Sequence, residues 1–186
     1  MSAEAHEPED HLSLAAYLVM ESRSEIRHEF VAGRVVAMAG GTRRHDLAAT
    51  WLAAQFFAAF TPQGCAVFPH NRKLRVDRDL YYPDLFVHCG PPGHEQWETG
   101  ARVIVEVLSP DSRLRDRRDK ATAYSRVPGL EAYLVVDPDQ PRIEVYAPED
   151  GEWVWRVYGP GMKVPLRDAP VDVDTLYDYV QSLAGQ

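Results

Sequence analysis

Glu106 lies inside an apolar stretch, Arg102–Leu108, whose other interior residues are valine and isoleucine. A continuous run of branched apolar residues is typical of a central strand that is covered on both faces. Side chains alternate along a strand, so Glu106 shares a face with Ile104 and Leu108. Burying an ionised carboxylate there is costly unless a cation, a metal ion or a set of hydrogen bonds faces it. The fold must therefore bring a partner to Glu106, and a divalent metal ion is the partner that we favour.

A second acid, Asp84, follows Pro83 and precedes the apolar residues Leu85–Val87. It lies 22 residues before Glu106, which is enough for one strand, a loop and a return strand. If the two strands pair, the two carboxylates lie side by side. Two carboxylates and a backbone carbonyl are sufficient protein ligands for Mg²⁺, because this ion keeps several waters.

The length and composition predict one domain, since 186 residues with 45% hydrophobic content can bury a full core. Residues 1–11 are polar and are expected to form a disordered tail, which leaves 12–186 as the single domain. The apolar stretches are too short to span a bilayer and the acidic N-terminus lacks a signal-peptide pattern, so we expect no membrane contact and a cytoplasmic location. Cys65 and Cys89 have no metal-binding spacing and are expected to be buried or unreactive thiols.

The net charge of −8 argues against a protein whose whole surface binds nucleic acid. Basic residues nevertheless cluster in segments 70–78 and 113–126. These segments predict either a local basic face or a solvated helix face with internal ion pairs. His45 opens a predicted helix and could reach a phosphate, with capping or solvent exposure as the alternative. The candidate nucleic-acid contacts are Arg72, Lys73, Arg113, Arg115 and His45.

The order of predicted elements indicates a mixed α/β fold with a strand–helix–strand crossover between 106 and 135. Ser13 is a typical helix N-cap, and Val31–Gly33 is the turn of an N-terminal hairpin. The Ala-rich helix 45–60 is apolar on most sides and is expected to pack across a sheet. The predicted helices are 13–22, 45–60, 115–126 and 174–183, and the predicted strands are 26–30, 34–38, 66–69, 73–76, 84–88, 102–108, 131–137, 142–146 and 152–158.

Lys120 lies on the helix that follows the Glu106 strand, where helical spacing places it on one face with Asp116 and Tyr124. A lysine beside a metal site would stabilise a hydroxide nucleophile or a pentacovalent phosphate. The alternative is a surface ion pair between Lys120 and Asp116.

These residues resemble a known group of enzymes. The matching motifs are Tyr82-Pro83-Asp84, Val105-Glu106-Val107-Leu108-Ser109-Pro110, Asp116 and Lys120 ahead of Tyr124, and Glu131-Ala132-Tyr133-Leu134-Val135-Val136-Asp137-Pro138. They resemble the PD-(D/E)XK nuclease superfamily and, within it, the bacterial Uma-two family of restriction endonucleases, from Leu14 to Leu166. The resemblance implies a restriction-endonuclease-like core, with a mixed central sheet flanked by helices and an N-terminal hairpin. It also implies a metal-activated water that cuts nucleic acid with Mg²⁺ or Mn²⁺.

The resemblance implies roles for particular residues. Asp84 and Glu106 would be metal ligands, helped by the Val107 carbonyl. The superfamily lysine usually lies two residues after the glutamate, where this chain has Leu108, so Lys120 would supply the amine from the helix. A further acid, Glu29 in the first hairpin, would complete the metal site through water, or else is simply exposed. The chain departs from the family pattern at the hairpin turn Ala32-Gly33 and at Leu134.

Three hypotheses follow. The first is a metal-dependent endonuclease with Asp84, Glu106, Lys120 and Glu29 in its active site. The second is a catalytically silent protein of nuclease fold that binds nucleic acid or another protein. The third makes Glu106 and Lys120 a buried structural ion pair in an oligomer subunit. The sequence does not distinguish DNA from RNA, although we expect DNA, and by analogy with nucleases that cut both strands we expect a homodimer.

Overall fold

The computed structural model describes residues 11–38, 40–109 and 114–185. Its four α-helices are α1 (Leu14–Glu21), α2 (Arg43–Phe60), α3 (Leu114–Tyr124) and α4 (Val173–Ala184). Its strands are β1 (His28–Val31), β2 (Arg34–Ala37), β3 (Ala66–Pro69), β4 (Lys73–Val76), β5 (Asp79–Tyr81), β6 (Leu85–His88), β7 (Trp97–Glu98), β8 (Val103–Val107), β9 (Ala132–Asp137), β10 (Arg142–Glu149), β11 (Glu152–Tyr158), β12 (Lys163–Val164) and β13 (Val171–Asp172).

The main sheet has six strands in the order β11-β10-β9-β8-β6-β3. It is mixed, because β8 and β9 are parallel while the other neighbours are antiparallel. The parallel pair is joined through α3, which confirms the predicted crossover. A second sheet has the order β2-β1-β5-β4-β7, and β12 pairs with β13. The α/β fold class is therefore confirmed, whereas the division into separate sheets was not predicted.

The two faces of the main sheet bury different residues. Val103, Val105 and Val107 of β8 belong to an apolar cluster with Leu52 and Phe56 of α2. Residues Leu176, Tyr177 and Val180 of α4 join the same cluster. On the opposite face, Ile104 packs with Phe86, Tyr124 of α3 and Tyr133 of β9. Glu106 shares this second face by strand alternation, so its carboxylate points towards α3 and the second sheet.

The N-terminal hairpin is closed by a tight two-residue turn. Ala32 and Gly33 both have positive φ angles, 51° and 77°, as a type I′ turn requires. Alanine adopts this conformation less readily than asparagine or aspartate. The Ala32 amide donates to Asp79 Oδ1 over 2.8 Å, which ties the turn to β5. Ser13 caps α1 by accepting from the Ala16 amide, so this predicted cap is confirmed.

Cys65 and Cys89 form a disulfide, so the prediction of two free thiols was wrong. The two cysteines flank the β3–β6 pair, whose register runs from Ala66–His88 to Pro69–Leu85. Their approach depends on how these strands pair, which cysteine spacing does not reveal. Among the described helices, none is long and apolar enough to cross a membrane.

Reduction of this disulfide is expected to lower the free energy of unfolding by about 3 kcal/mol, because the bond closes a loop across 24 residues of the unfolded chain. Urea unfolding with and without reductant measures the difference. Cys65→Ser should match the reduced protein and should not respond to reductant. A Cys65→Ser variant as stable as the oxidised protein would contradict the prediction.

Candidate active site

Strand pairing brings the two predicted acids together. In the antiparallel β6–β8 pair, Leu85 lies opposite Val105, and the next step of this register places Asp84 opposite Glu106. Asp84 follows Pro83 at the edge of the ladder, where the missing proline amide costs no strand hydrogen bond. The Val107 amide donates to Asp84 Oδ2 over 2.7 Å, which fixes the carboxylate against the end of β8. The predicted proximity of the two acids is therefore present in the structure.

Lys120 completes the cluster from α3. Its Nζ donates to Glu106 Oε1 and to Glu29 Oε1, each over 2.9 Å. Glu29 lies on β1 of the second sheet, where its Oε1 also accepts from the Tyr82 amide over 3.1 Å. The four predicted catalytic residues, Asp84, Glu106, Lys120 and Glu29, thus meet at one place. Glu29 is buried rather than exposed, and it contacts the lysine directly.

Two tyrosines, Tyr124 and Tyr133, lie beside this cluster. Tyr124 lies one helical turn after Lys120, and its hydroxyl donates to Glu106 Oε1 over 2.7 Å. The shared helix face was visible in the sequence, but the hydroxyl contact was not. Tyr133 is fully buried beside the cavity, and its hydroxyl finds no hydrogen-bond partner among the described residues. In the sequence, the alternation of side chains along β9 indicates only that Tyr133 is a core residue.

Two histidines flank Asp84. His45 Nε2 lies 3.2 Å from Asp84 Oδ2, and His45 Nδ1 lies 3.1 Å from Asp46 Oδ1. The His45 side chain is only 9% exposed, so the capping or solvent role weighed for it does not describe its ring. Gly41 makes room for this ring, because a Cβ at that position would lie 2.5 Å from His45 Nδ1. His70, which the sequence did not single out, has its Nδ1 3.9 Å from Asp84 Oδ1.

The acids outnumber the cations at the centre of the cluster, and this imbalance shifts the titration of several groups. Burial raises the pKa of Glu106 to about 7, and the neighbouring carboxylates of Asp84 and Glu29 add to that increase against the opposing charge of Lys120. Burial lowers the pKa of Lys120, but Glu106 and Glu29 outweigh it and hold that pKa well above its ordinary value. The lysine is therefore an ammonium ion, and ionisation of Glu106 costs more free energy than it does in water.

The charge on His45 follows the same logic. Burial lowers the pKa of His45, but hydrogen bonds and charge interactions with Asp84 and Asp46 overcome burial and raise it to about 9. The ring is thus protonated near neutral pH, with both nitrogens donating to carboxylates.

In the absence of metal, stability is expected to fall as pH rises. Glu106 and His45 both have a higher pKa in the folded protein than their ordinary values of 4.5 and 6.5, so the folded state binds more protons than the unfolded chain. Stability should be lost between pH 4.5 and about 7 through Glu106, and between pH 6.5 and about 9 through His45. Melting temperatures measured in chelator across this range test the direction.

Variants separate the two contributions to this pH dependence. Glu106→Gln should flatten the lower part of the curve, and His45→Asn should flatten the upper part. Thr99→Ser, a change of an exposed non-titrating residue outside the cavity, is the control and should leave the curve unchanged. A melting temperature that rises with pH in wild-type protein, or equal slopes in all variants, would contradict the prediction.

The cluster opens into a cavity of about 580 Å³. This volume is within the range of small-molecule sites and exceeds what one phosphate group needs. The acids Glu29, Asp84 and Glu106 lie in its wall together with Lys120. The remaining lining includes Ile26, Arg27, Val36, Met38, Gly41, His45, His70, Asn71, Tyr82, Leu108, Ser109 and Tyr133.

The donor set suits a hard divalent cation. Glu106 Oε2 and Asp84 Oδ1 accept no hydrogen bond from any described residue, while their partner oxygens are fixed by Tyr124, Lys120, Val107 and His45. Within the described ranges, no cluster of three or more His, Cys, Asp or Glu side chains has metal-binding geometry. Two carboxylates are a sufficient set of side-chain ligands for an ion such as Mg²⁺, because this ion keeps several of its waters. A cation would also relieve the raised pKa of Glu106.

The predicted nucleic-acid contacts are dispersed. Arg72 uses its three guanidinium nitrogens on the buried Glu98 carboxylate and on the carbonyls of His94 and Glu95, so it has a structural role and is not free for phosphate. Lys73 lies with its Nζ 5.2 Å from the Tyr82 ring, and burial lowers its pKa. Arg113 and the side chain of Arg115 lie outside the described residues.

Comparison with known proteins places the chain in a family. The sequence profile of the Uma2 family, described as "Putative restriction endonuclease", matches residues 14–174. The chain therefore belongs to the Uma2 family. The predicted resemblance is thus confirmed, and with it the general assignment to nuclease-like proteins.

Similar chains are known from sequence and structure. An uncharacterised protein of Synechocystis sp. is 30% identical over 173 residues, which cover 89% of this chain and 91% of the relative. A second uncharacterised Synechocystis protein is 25% identical over 150 residues, with coverage of 77% and 85%. A crystal structure from Anabaena variabilis, described as "a putative nuclease", superposes with a TM-score of 0.78 at 17% identity, covering 91% of this chain and 99% of that one. This similarity shows the same fold.

Proposed function

We propose that this Uma2 protein is a metal-dependent endonuclease that hydrolyses phosphodiester bonds in nucleic acid, with DNA as the expected substrate. One observation carries the proposal. Asp84 and Glu106 oppose each other at the edge of the β6–β8 pair and share a cavity with the Lys120 ammonium group. Two carboxylates for a cation and an amine for the phosphate are the groups that metal-assisted diester hydrolysis requires.

The two acids would hold the metal ion. Asp84 and Glu106 would bind Mg²⁺, or Mn²⁺ in its place, through their free oxygens together with the Val107 carbonyl. When bound, the ion would supply a Lewis acid that polarises a phosphoryl oxygen and activates water. His45 and the Val107 amide would keep the Asp84 carboxylate in place, and Tyr124 would do the same for Glu106.

Lys120 would act on the phosphate. Its ammonium group is held between Glu29 and Glu106, and these are its two hydrogen-bond acceptors among the described residues, so its third N–H bond can point at a substrate oxygen. In the partly enclosed cavity this positive charge would stabilise the negative charge that develops on the phosphoryl oxygens. Glu29 would thus orient the lysine, and its own Oε1 is fixed by the Tyr82 amide. The water-mediated metal contact that the family resemblance implied for Glu29 stays a prediction.

Cleavage of nucleic acid tests the proposal directly. Purified protein is incubated with supercoiled plasmid, with single-stranded DNA and with single-stranded RNA, in Mg²⁺, in Mn²⁺ and in chelator, beside Glu106→Gln. Metal-dependent nicking that the variant lacks would support the proposal. No cleavage of either DNA or of RNA under any metal condition, with no metal-dependent change in melting temperature, would overturn it.

A catalytically silent protein that binds nucleic acid or another protein is the alternative. The net charge of −8 favours a partner other than nucleic acid, because an acidic surface repels phosphate backbones. Such a protein should bind its partner equally well with or without metal. Isothermal titration with Mg²⁺ separates the two, since a silent binder has no reason to bind the ion at Asp84 and Glu106.

Two further expectations remain predictions. A homodimer would supply the two active sites that cutting both strands of a duplex requires, and sedimentation analysis tests it. A cytoplasmic location is the other, although disulfides such as Cys65–Cys89 are rare in reducing compartments. Thiol alkylation of the protein in cell extracts would show which form occurs.

A further inference from the structure

The cavity is also lined by a cationic side chain that the proposed chemistry does not use. Arg27 lies between α1 and β1, two residues before Glu29, and it lines the same cavity as the acids. Its side chain is exposed at the cavity rim. The basic clusters that the sequence analysis singled out did not include it, because it stands apart from segments 70–78 and 113–126.

Arg27 is held in place by neutral partners. Its Nε donates to Asn71 Oδ1 over 2.6 Å, and its guanidinium carbon lies 5.3 Å from the centre of the Tyr82 ring. Tyr82 is itself fixed, since it is buried and its hydroxyl donates to Glu21 over 2.9 Å. Lys73 lies 5.2 Å from the same ring, so two cations share one aromatic side chain. The guanidinium group of Arg27 is thus held in one orientation at the cavity rim before any ligand binds.

Arg27 differs from several other arginines in its electrostatic balance. Arg72, Arg102 and Arg126 each form an ion pair with a carboxylate. No carboxylate of the described residues lies within 4.0 Å of the Arg27 guanidinium nitrogens. An arginine that is ordered but not neutralised presents a planar set of donors that matches a phosphate group.

The loop that carries Asn71 adopts an unusual backbone conformation. His70 and Asn71 are consecutive residues with positive φ angles, 48° and 63°. Such angles are uncommon outside glycine and cost free energy, so the surrounding contacts must hold them. The His70 amide donates to the Asp84 carbonyl over 2.9 Å, which anchors the loop beside the acid cluster. This conformation places the Asn71 amide where it orients Arg27.

We propose that Arg27, oriented by Asn71 and Tyr82, binds a backbone phosphate of the nucleic acid that flanks the phosphate being hydrolysed. This inference rests on the proposed function. A substrate strand carries one phosphate per nucleotide. A cavity of about 580 Å³ can therefore hold the phosphate that is cut beside Asp84 and Glu106, while the next phosphate of the strand reaches Arg27 at the rim. Arg27 would attract the polyanion to a protein of net charge −8 and would add to binding rather than to the chemical step.

Salt-dependent binding and steady-state kinetics test this site. Fluorescence anisotropy with a labelled single-stranded and a duplex oligonucleotide in Ca²⁺ gives Kd as a function of salt, and cleavage in Mg²⁺ gives KM and kcat. Arg27→Ala should raise Kd and KM about tenfold with kcat nearly unchanged. It should also reduce the slope of log K against log salt by about 0.7 for single strands or 0.9 for duplex, the value for one lost phosphate contact.

Companion variants distinguish a phosphate contact from general charge. Arg27→Lys should keep the slope but weaken binding, because the fork is lost and the charge remains. Asn71→Ala should also keep the slope and raise Kd several-fold. Arg167→Ala removes an exposed charge outside the cavity and should match wild type. Melting temperatures of all variants confirm that each is folded.

The outcomes separate the two proposals. If wild-type protein binds and cuts, and Arg27→Ala has the same Kd, KM and salt slope as Arg167→Ala, the phosphate site is overturned and the nuclease proposal stands. If wild-type protein neither binds nor cuts nucleic acid, both are overturned. A loss in Arg27→Ala confined to kcat would also overturn the site, since it would place Arg27 in the chemical step.

Discussion

Glu106→Gln is expected to lower the rate of cleavage by about a thousandfold, equivalent to about 4 kcal/mol of transition-state stabilisation, while leaving the metal-free fold as stable as wild type or more so. The activity should fall because a neutral amide is a poor ligand for Mg²⁺ and one of only two side-chain ligands is lost. The stability should not fall, because burial and the carboxylates of Asp84 and Glu29 already disfavour the charged form of Glu106. Glutamine keeps an oxygen that can accept from Lys120 and Tyr124.

Melting temperatures in chelator test the expected stability of the metal-free fold. Melting temperatures in Mg²⁺ test whether the variant still binds the ion. Wild-type protein should gain stability when Mg²⁺ is added, and Glu106→Gln should gain little. Asp84→Asn is expected to behave in the same way, as the second ligand. Glu152→Gln, which neutralises an exposed acid of β11 outside the cavity, should keep the activity and the metal response of wild type.

The opposite pattern would identify a structural ion pair. If Glu106→Gln lowers the melting temperature by the same amount with and without metal, the pair of Glu106 with Lys120 holds the fold together and the metal site is excluded. The two hypotheses therefore predict opposite signs for one measurement in chelator.

Lys120→Met should lower both the rate of cleavage and the stability of the fold. Cleavage is expected to fall by about a hundred- to a thousandfold, the usual loss when one group that stabilises transition-state charge is removed. The free energy of unfolding is expected to fall by about 3–5 kcal/mol, because the partly buried Glu29 and Glu106 lose their shared cation. Methionine keeps the approximate length of the side chain and removes only its charge and hydrogen bonds.

A double variant and a surface control sharpen this prediction. Lys120→Met combined with Glu106→Gln should recover part of the lost stability, since one of the two unpaired charges is gone. Lys163→Met breaks a surface pair with Asp172 and should cost much less stability than Lys120→Met. Urea unfolding above pH 7 measures all three. A Lys120→Met variant that is no less stable than Lys163→Met would contradict the prediction.

Much of the fold was predictable from local pattern. The valines of β8 and the acid among them identified a buried strand, and the crossover through α3 followed from the order of elements. Strands of two or three residues, such as β5 and β7, carry too few residues for a periodic signal. The second sheet was missed for this reason, because β5 joins the N-terminal hairpin to β4.

Without the family resemblance, the candidate site was predictable only where contacts are close in sequence or share one sheet. The 22 residues between Asp84 and Glu106 indicated a return strand, and its pairing places them side by side. The contact of Lys120 with Glu29 joins residues that are 91 positions apart, and it depends on how the second sheet packs under α3. Neither propensity nor alternation encodes that arrangement. His45 was noticed, but its helix face alone did not show that the ring points at Asp84.

The distribution of the cluster along the chain has a consequence for protein synthesis. Glu29 belongs to one sheet, Asp84 and Glu106 adjoin another, and Lys120 arrives on a helix that is made after all three. The partner strand of β8 follows later still, at Ala132–Asp137. A nascent chain that ends before Lys120 lacks one member of the cluster, and one that ends before Ala132 also lacks the strand that pairs in parallel with β8. If the site cuts nucleic acid, a cell that makes this protein is protected from partly synthesised copies by the order of the sequence itself.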